Sequence, residues 1–424
     1  SNERSLTKAQ PKRQKLPDHL ERIEIVHDVA PICTSCGGEN LRKISDDVSE
    51  TLEYIRAKIK VIKHVRPRCI CSNCDNVMQA YPASGPIEKG LAGPGLLAHV
   101  ITQKYCYHLP LYRQAQMFER DGIHISRSTM GGWMFECGVI LMPLIQSLID
   151  YVFSATHLHG DDTPVKVLAP GLKKTKTGRI WTYVVDGRGH GSHLAPAVYY
   201  CYSPDRKGER PVEHLTGFKG VLHADAYSGY NAVYELGVTE AGCWAHTRRK
   251  FYEIVIVSDH AEIAYNALRS IQELYKIEEE IRGKNPEIRL EYRQAQSKEI
   301  VEKMFKEFED KIKNLPKKGS TALAINYALN NKAALMRFLD DGKIEIDNNI
   351  AERALRGVAV GRKNWLFAGS DRGGHTAAAF FSLIESAKLN GLDPEKYLRH
   401  VLTVIQDYNA KKIYELLPWN IKLH

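Results

Sequence analysis

The sequence predicts a multidomain α/β protein: a mixed sheet interrupted by a helical insertion, preceded by a cysteine-bearing β module and a helical, helix-turn-helix-like region. Three observations carry this expectation. At 424 residues, 43% of them hydrophobic, the chain is too long for one core of ordinary size. Its texture changes at defined points, from cysteine pairs to helical periodicity, then to strand-like runs, then to long charged helices. Two Cys-x-x-Cys knuckles also frame a basic interval near the N-terminus.

Residues 1–30 are rich in Lys, Arg, Gln and Pro without periodicity and read as a flexible lead-in. The absence of a starting Met reads as a trimmed beginning. From residue 31 to 82 the knuckles Cys33/Cys36 and Cys71/Cys74 offer four thiolates to a tetrahedral zinc, with TLEYIRAKIKVIKHV as a long hairpin between them. Cys69 competes as a ligand, but its place outside the knuckle makes it a strand residue. Nine cysteines, an odd number gathered mainly near the N-terminus, argue for thiol or metal chemistry rather than a secreted disulfide framework. Cys106, Cys137 and Cys201 sit among apolar residues and read as small buried hydrophobes.

Lys and Arg number 59 against 50 Asp and Glu, a net +9 that suits a polyanionic partner. Residues 54–74 carry Arg56, Lys58, Lys60, Lys63, Arg66 and Arg68 with no acid among them. That run fits a phosphate backbone and fits a solvated strand face equally well. The polar opening from Ser1 to Glu24 has no signal-peptide character, and the apolar stretch from Gly138 to Phe153 falls short of a bilayer span. The expectation is a soluble intracellular protein with no membrane partner.

Residues 83–150 read as helices over GLLAHVITQKY, LYRQAQMFERDG and a third segment capped by Ser126. The last two form a helix-turn-helix candidate that would offer Arg127, Ser128 and Thr129 to a DNA groove. Residues 151–257 are strand-dominated, through THLHGDDTPVKVL, RIWTYVVD, PAVYYCYS and GVLHADAY. Residues 258–342 turn to long charged helices and read as an insertion. The sheet domain resumes over 343–395, and 396–424 forms a helical tail.

Asp161 and Asp225 lie at the ends of extended runs, in HGDDTPV and LHADAYSGY, and Glu352 opens a helix after an Asp-Asn-Asn run able to cap it. Two strand-end aspartates and a helical glutamate supply the rigid oxygen ligands that a two-metal phosphoryl-transfer site needs. Asp162 competes with Asp161, since neighbouring strand residues face opposite sides. His159 and His223, two positions before the aspartates, read as second-line supports or as core histidines. Cys243-Trp-Ala-His246 has a metal-like spacing but no evident further ligands, and its strand-like flanks make it structural. Arg248, Arg249, Lys250, Arg353, Arg356, Arg362 and Lys363 are candidate DNA contacts. Trp365 either stacks on a base or fills the core.

The chain resembles the DDE-type transposases of the insertion sequence 66 family. The resemblance runs from the first cysteine pair to the C-terminus through HGDDTPVKVLAPG, GRIWTYVVD, YSPDRKGERP, HADAYSGYNAVYE, GCWAHTRRKF, LDDGKIEIDNNIAERALR, VGRKNWLFAGSDRGG and SLIESAKLNGLDPEKYL. It implies a ribonuclease H-like fold in which Asp161, Asp225 and Glu352 hold magnesium or manganese. It further implies cleavage at transposon ends and strand transfer to target DNA by a cytoplasmic, nucleoid-associated enzyme acting as a homodimer, with accessory proteins possible. The rivals are a structure-selective nuclease with the same site and a non-catalytic zinc-containing DNA-binding regulator.

Overall fold

A computed structural model describes residues 59–63, 65, 68–70, 77–79, 85–88, 90–169, 174–257 and 261–423. The chain divides into two compact units, Ser1–Pro82 and Ala83–His424.

In the first unit, β1 (Arg68–Ile70) and β2 (Val77–Gln79) form an antiparallel hairpin with Cys69 opposite Met78. Cys69 is thus a strand residue, as expected. The long hairpin expected between the knuckles is not formed where it is described: residues 59–63 and 65 adopt no regular structure. Val61 and Ile62 are neighbours and both exposed, so this stretch lacks the alternation that would bury one strand face. Cys33, Cys36, Cys71 and Cys74, with Arg56 and Lys58, lie outside the described residues; Lys60 is exposed.

The second unit opens with α1 (Pro94–Tyr105), α2 (Leu111–Arg120), α3 (Arg127–Ile140) and α4 (Met142–Phe153). Ser126 caps α3 as anticipated, its hydroxyl accepting from the Thr129 amide at 3.0 Å. Gly131 and Gly132 do not break α3, because Met130, Trp133, Met134 and Cys137 anchor it in the core on both sides of them. Among the described residues no single helix is long and apolar enough to cross a membrane, and α3 and α4 meet at a 54° bend.

A five-stranded sheet follows, ordered β5-β4-β3-β6-β7, from β3 (His157–Ala169), β4 (Lys174–Val185), β5 (Ala197–Ser203), β6 (Val221–His223) and β7 (Thr239–Ala241). The first three strands run antiparallel, whereas β6 and β7 are parallel to β3. Helices α5 (Glu209–His214) and α6 (Asn231–Glu235) fill the connections between β5, β6 and β7. β6 is short, so the fourth strand does not carry Asp225; that residue lies two positions beyond its end.

Helix α7 (Trp244–Val255) buries Trp244, Thr247, Phe251 and Ile254, a helical rather than strand period. This corrects the strand-like view of Cys243-Trp-Ala-His246: Cys243 caps α7 and His246 lies in its first turn. Helices α8 (Glu262–Glu280), α9 (Pro286–Tyr292), α10 (Lys298–Lys311), α11 (Ser320–Asn330) and α12 (Lys332–Met336) build the insertion around a second core with α7. α9 and α10 read in sequence as one rod, but a π-helical turn at Arg293–Ser297 joins them. No strand forms where the chain returns at Lys343. Instead α13 (Asn349–Trp365), α14 (Asp371–Leu389) and α15 (Pro394–Val404) complete the first core.

Helix α14 covers the outer edge of β5. Ser386 and Ser382 hydroxyls accept from the Val198 and Tyr200 amides at 3.0 and 2.8 Å. Two buried serines thus satisfy donors that an edge strand would otherwise leave unpaired.

His214, at the end of α5, packs edge-on to Trp181 and bonds the Tyr183 hydroxyl at 3.1 Å. Burial pulls its imidazole down from 6.5 to about 4. Between those values the unfolded chain holds the extra proton, so this contribution is complete above 6.5 and is lost as pH falls toward 4. The loss amounts to up to about 3 kcal/mol. Thermal melting followed across this range should fall less steeply for His214→Gln than for the parent. Parallel pH profiles would show that His214 is not buried neutral.

Candidate active site

β3 sets the first acidic group. Asp161 stands opposite Thr182 and Asp162 opposite Trp181, so their side chains leave the strand on opposite faces. Asp162 is nearly inaccessible, with 2% side-chain exposure, and is engaged by two arginines. Arg206 donates to its Oδ1 from Nε at 2.9 Å and lies within 2.8 Å through Nη2, while Arg179 Nη1 is 3.1 Å from Oδ2. Among the described residues Asp161 has no cationic partner; its Oδ1 accepts the Asp162 amide, at 2.7 Å.

Asp225 follows β6. The Ala224 amide still reaches the Ala241 carbonyl at 3.4 Å, so strand pairing holds the chain up to the residue before it. Arg206 Nη2 lies 3.9 Å from Asp225 Oδ2, and the same guanidinium rests 3.8 Å from the Tyr227 ring centre. The Tyr227 hydroxyl donates to the Arg206 carbonyl. Arg206 therefore ties the loop after β6 to the Asp162 face of β3.

Glu352 comes from the first turn of α13. Asp347 caps this helix, accepting from the Asn349 amide at 3.0 Å. Asn348 instead ties it to β3: its side-chain Nδ2 donates to the Gly160 carbonyl at 2.8 Å, and its Oδ1 pairs with His159 Nδ1 at 3.1 Å. His159 is consequently a bonded core histidine, stacked on His223 with ring centres 4.4 Å apart. Among the described residues, both nitrogens of His223 are buried without a hydrogen-bond partner. Glu352 faces α7, with Oε1 3.7 Å from His246 Nε2 and Oε2 3.8 Å from Arg249 Nη2.

The neighbouring acids act electrostatically on Asp161. Burial first, and then the charges of Asp225, Asp162 and Glu352, push the Asp161 carboxyl up to about 7 against the pull of its backbone hydrogen bond. Such a concentration of negative charge is relieved by a cation, and an all-oxygen donor set matches hard divalent ions such as magnesium or manganese. The three carboxylates do not close on a single point. Among the described residues, the one group of three metal-capable atoms within 4.8 Å is Cys243, His246 and Glu352.

Candidate DNA contacts divide by exposure. Arg248, Arg249 and Lys250 are exposed on α7, as are Arg353, Arg356 and Lys363 on α13 and Arg127 at the start of α3. Arg362 is half-buried and donates to the Thr163 hydroxyl and the Pro164 carbonyl at 2.6 and 2.7 Å. Trp365 packs against the core. Cys137 and Cys201 are buried, and Cys106 is half-buried. Arg179 and Arg206 escaped notice in the sequence; the latter sits within YSPDRKGERP, but only the fold reveals its reach to two aspartates.

The chain matches the zinc-finger binding domain of transposase IS66 over residues 31–75, the Transposase IS66 family over 89–376, and the IS66 C-terminal element over 382–419. It is 39% identical to uncharacterized protein y4hP of Sinorhizobium fredii, over 100% of this chain and 79% of the relative. It is 40% identical to y4qI of the same organism, over 97% and 77%. With y4jD, also from that organism, the identity is 37% over 96% and 81%. Family membership carries DNA binding with it, and the N-terminal zinc-finger domain points to zinc. From its zinc finger through its sheet and closing helices, the chain belongs to the IS66 family of transposases.

Proposed function

We propose that the chain is a DDE-type transposase that cleaves DNA at transposon ends and joins the exposed 3′ hydroxyls to target DNA. The observation that carries this reading is the placement of three acids from separate elements, Asp161, Asp225 and Glu352, near enough that the charges of the latter two add to the burial that raises the Asp161 carboxyl. The sheet order supports a ribonuclease H-like catalytic domain formed from residues 151–257 and 343–395, split by the insertion at 258–342. When bound, a pair of magnesium or manganese ions would activate the attacking oxygen and stabilise the leaving one. Asp161, Asp225 and Glu352 are the residues that would hold those ions. Arg206 engages Asp162 and reaches the loop bearing Asp225. Arg249, Arg353 and Arg356 are available to hold the phosphodiester beside Glu352, which fits positioning without base reading. Both chemical steps are displacements at phosphorus and need no covalent intermediate on the protein.

The zinc finger and residues 83–150, with α2 and α3 as the helix-turn-helix pair, would recognise the element's ends through Arg127, Ser128 and Thr129. Two ends handled together call for a homodimer, with accessory proteins where needed, acting at the bacterial nucleoid. Cys33, Cys36, Cys71 and Cys74 are the proposed zinc ligands. Cys71→Ser should release the tightly held zinc, read by metal analysis of the purified chain; retention at the parent's level would exclude Cys71.

The defining experiment incubates the chain with labelled DNA carrying the element's ends and magnesium or manganese. Cleavage followed by joined products identifies a transposase. Cleavage without joining identifies a nuclease, and binding alone identifies a regulator.

A further inference from the structure

Beside the three acids lies a second arrangement of donors with a different chemistry. Cys243 Sγ, an imidazole nitrogen of His246 and a Glu352 carboxylate oxygen all lie within 4.8 Å of one another. The backbone builds this group deliberately. Cys243 caps α7 and His246 follows in its first turn, so both face the start of α13. The two helix starts are clamped together: the Asn348 amide donates to Cys243 Sγ at 3.2 Å, and the Trp244 amide donates to the Ile346 carbonyl at 3.1 Å.

These contacts account for the closeness of the helices but leave two of the three groups with an unsatisfied atom. Among the described residues, Glu352 Oε1 and His246 Nδ1 are both buried without a hydrogen-bond partner. The 3.7 Å from His246 Nε2 to Glu352 Oε1 is too long for a hydrogen bond. It is, however, close to the roughly 3.3–3.5 Å that separates a nitrogen and an oxygen ligand on one tetrahedral ion, whose bonds of about 2.0–2.2 Å set that spacing. A simple ion pair would bring the imidazole and carboxylate into contact; a shared ion would hold them at this distance.

We infer that Cys243, His246 and Glu352 form a binding site for a divalent ion of the zinc class, separate from the oxygen-only position for hard ions. One sulfur, one nitrogen and one oxygen favour zinc or cobalt over magnesium. Three protein ligands leave a fourth position open, unlike a closed four-cysteine site. Binding moves the Cys243 thiol proton to solvent as the sulfur takes the metal. Occupancy draws one oxygen of Glu352 toward α7 and away from the aspartates. This last consequence, inhibition of magnesium-dependent chemistry by zinc, rests on the proposed catalytic role of Glu352, whereas the binding itself does not.

The test uses the full chain with its N-terminal finger filled with zinc, which is spectroscopically silent and is held more tightly than cobalt. Cobalt is then titrated while thiolate-to-cobalt charge transfer and tetrahedral d–d bands are recorded. The parent should gain these bands with saturable binding. Cys243→Ala should lose the charge-transfer band, and His246→Gln should bind at least about tenfold more weakly. Thermal melting establishes that each variant is folded. If Cys243→Ala does not fold, His246→Gln decides alone. A parent lacking the thiolate band, or a folded variant titrating like the parent, overturns the site. Absence of DNA cleavage in magnesium would count against the catalytic reading while leaving the cobalt result standing, so the two failures are distinguishable.

Discussion

Replacing Asp161 or Asp225 by asparagine is expected to lower metal-dependent cleavage of end DNA by at least about 10³-fold while leaving DNA binding close to the parent's. Asparagine has nearly the shape of aspartate but no charge, so the change isolates the electrostatic role. The two substitutions should also differ in a way that reports the local environment. Asp161 is the buried member, its carboxyl raised to about 7 by burial and by the neighbouring acids, so neutralising it removes a charge the folded chain tolerates poorly. Asp161→Asn should therefore stabilise the metal-free protein while abolishing activity. Asp162→Asn should do the reverse in stability: burial raises this carboxyl too, but the substitution leaves Arg206 and Arg179 without their carboxylate, and that loss outweighs the relief of burial. Cleavage assays with gel-shift controls, beside melting curves in chelator, check all three. Parent-level cleavage by Asp161→Asn would remove that residue from the site.

Much of this arrangement was legible in the sequence because it is local. Strand alternation alone separates the faces of Asp161 and Asp162, and Ser126 announces the start of α3. What escaped was whatever depends on segments distant in the chain. Asp162 is held by Arg206, whose position follows from how the chain leaves β5, and no period in the sequence carries that information. Cys243 and His246 looked incomplete as ligands because the third donor, Glu352, arrives on another helix. The strand-like appearance of Cys243-Trp-Ala-His246 came from the short strand just before it, Thr239–Ala241. Its helical period emerges only when Phe251 and Ile254 are found buried with Trp244. The break between α9 and α10 was hidden for a similar reason: a π turn conserves helical composition while rotating the face that follows.

That π turn leads to the second large effect, expected far from the acids. Arg293, the first residue of the turn, is fully buried and donates to both oxygens of Glu278 on α8 at 2.7 Å, from Nε and Nη2. Its Nη1 reaches the carbonyls of Phe338 and Asp341 at 2.9 and 3.1 Å. Arg289, also buried, connects the same Glu278 at 3.3 Å to Glu345 at 2.8 Å. Gly342 closes the approach, since a Cβ there would collide with the Pro286 carbonyl. The insertion is thus bonded to the segment that runs into Asp347 and Asn348, the residues that cap α13 and tie it to β3. Arg293→Ala would leave the Glu278 carboxylate buried without its fork-shaped partner and take one donor each from the Phe338 and Asp341 carbonyls, at a cost of about 3–5 kcal/mol. Arg293→Lys retains the charge but cannot reproduce the fork, so it should recover only part of the loss. Because the damage falls on the segment that aims Glu352, cleavage by whatever protein remains folded should drop more than DNA affinity does. Denaturant unfolding measures the first effect and single-turnover cleavage the second. A stability loss below about 1 kcal/mol for Arg293→Ala would mean that water or a rearranged Arg289 satisfies Glu278, and that the insertion does not depend on this network for its hold on α13.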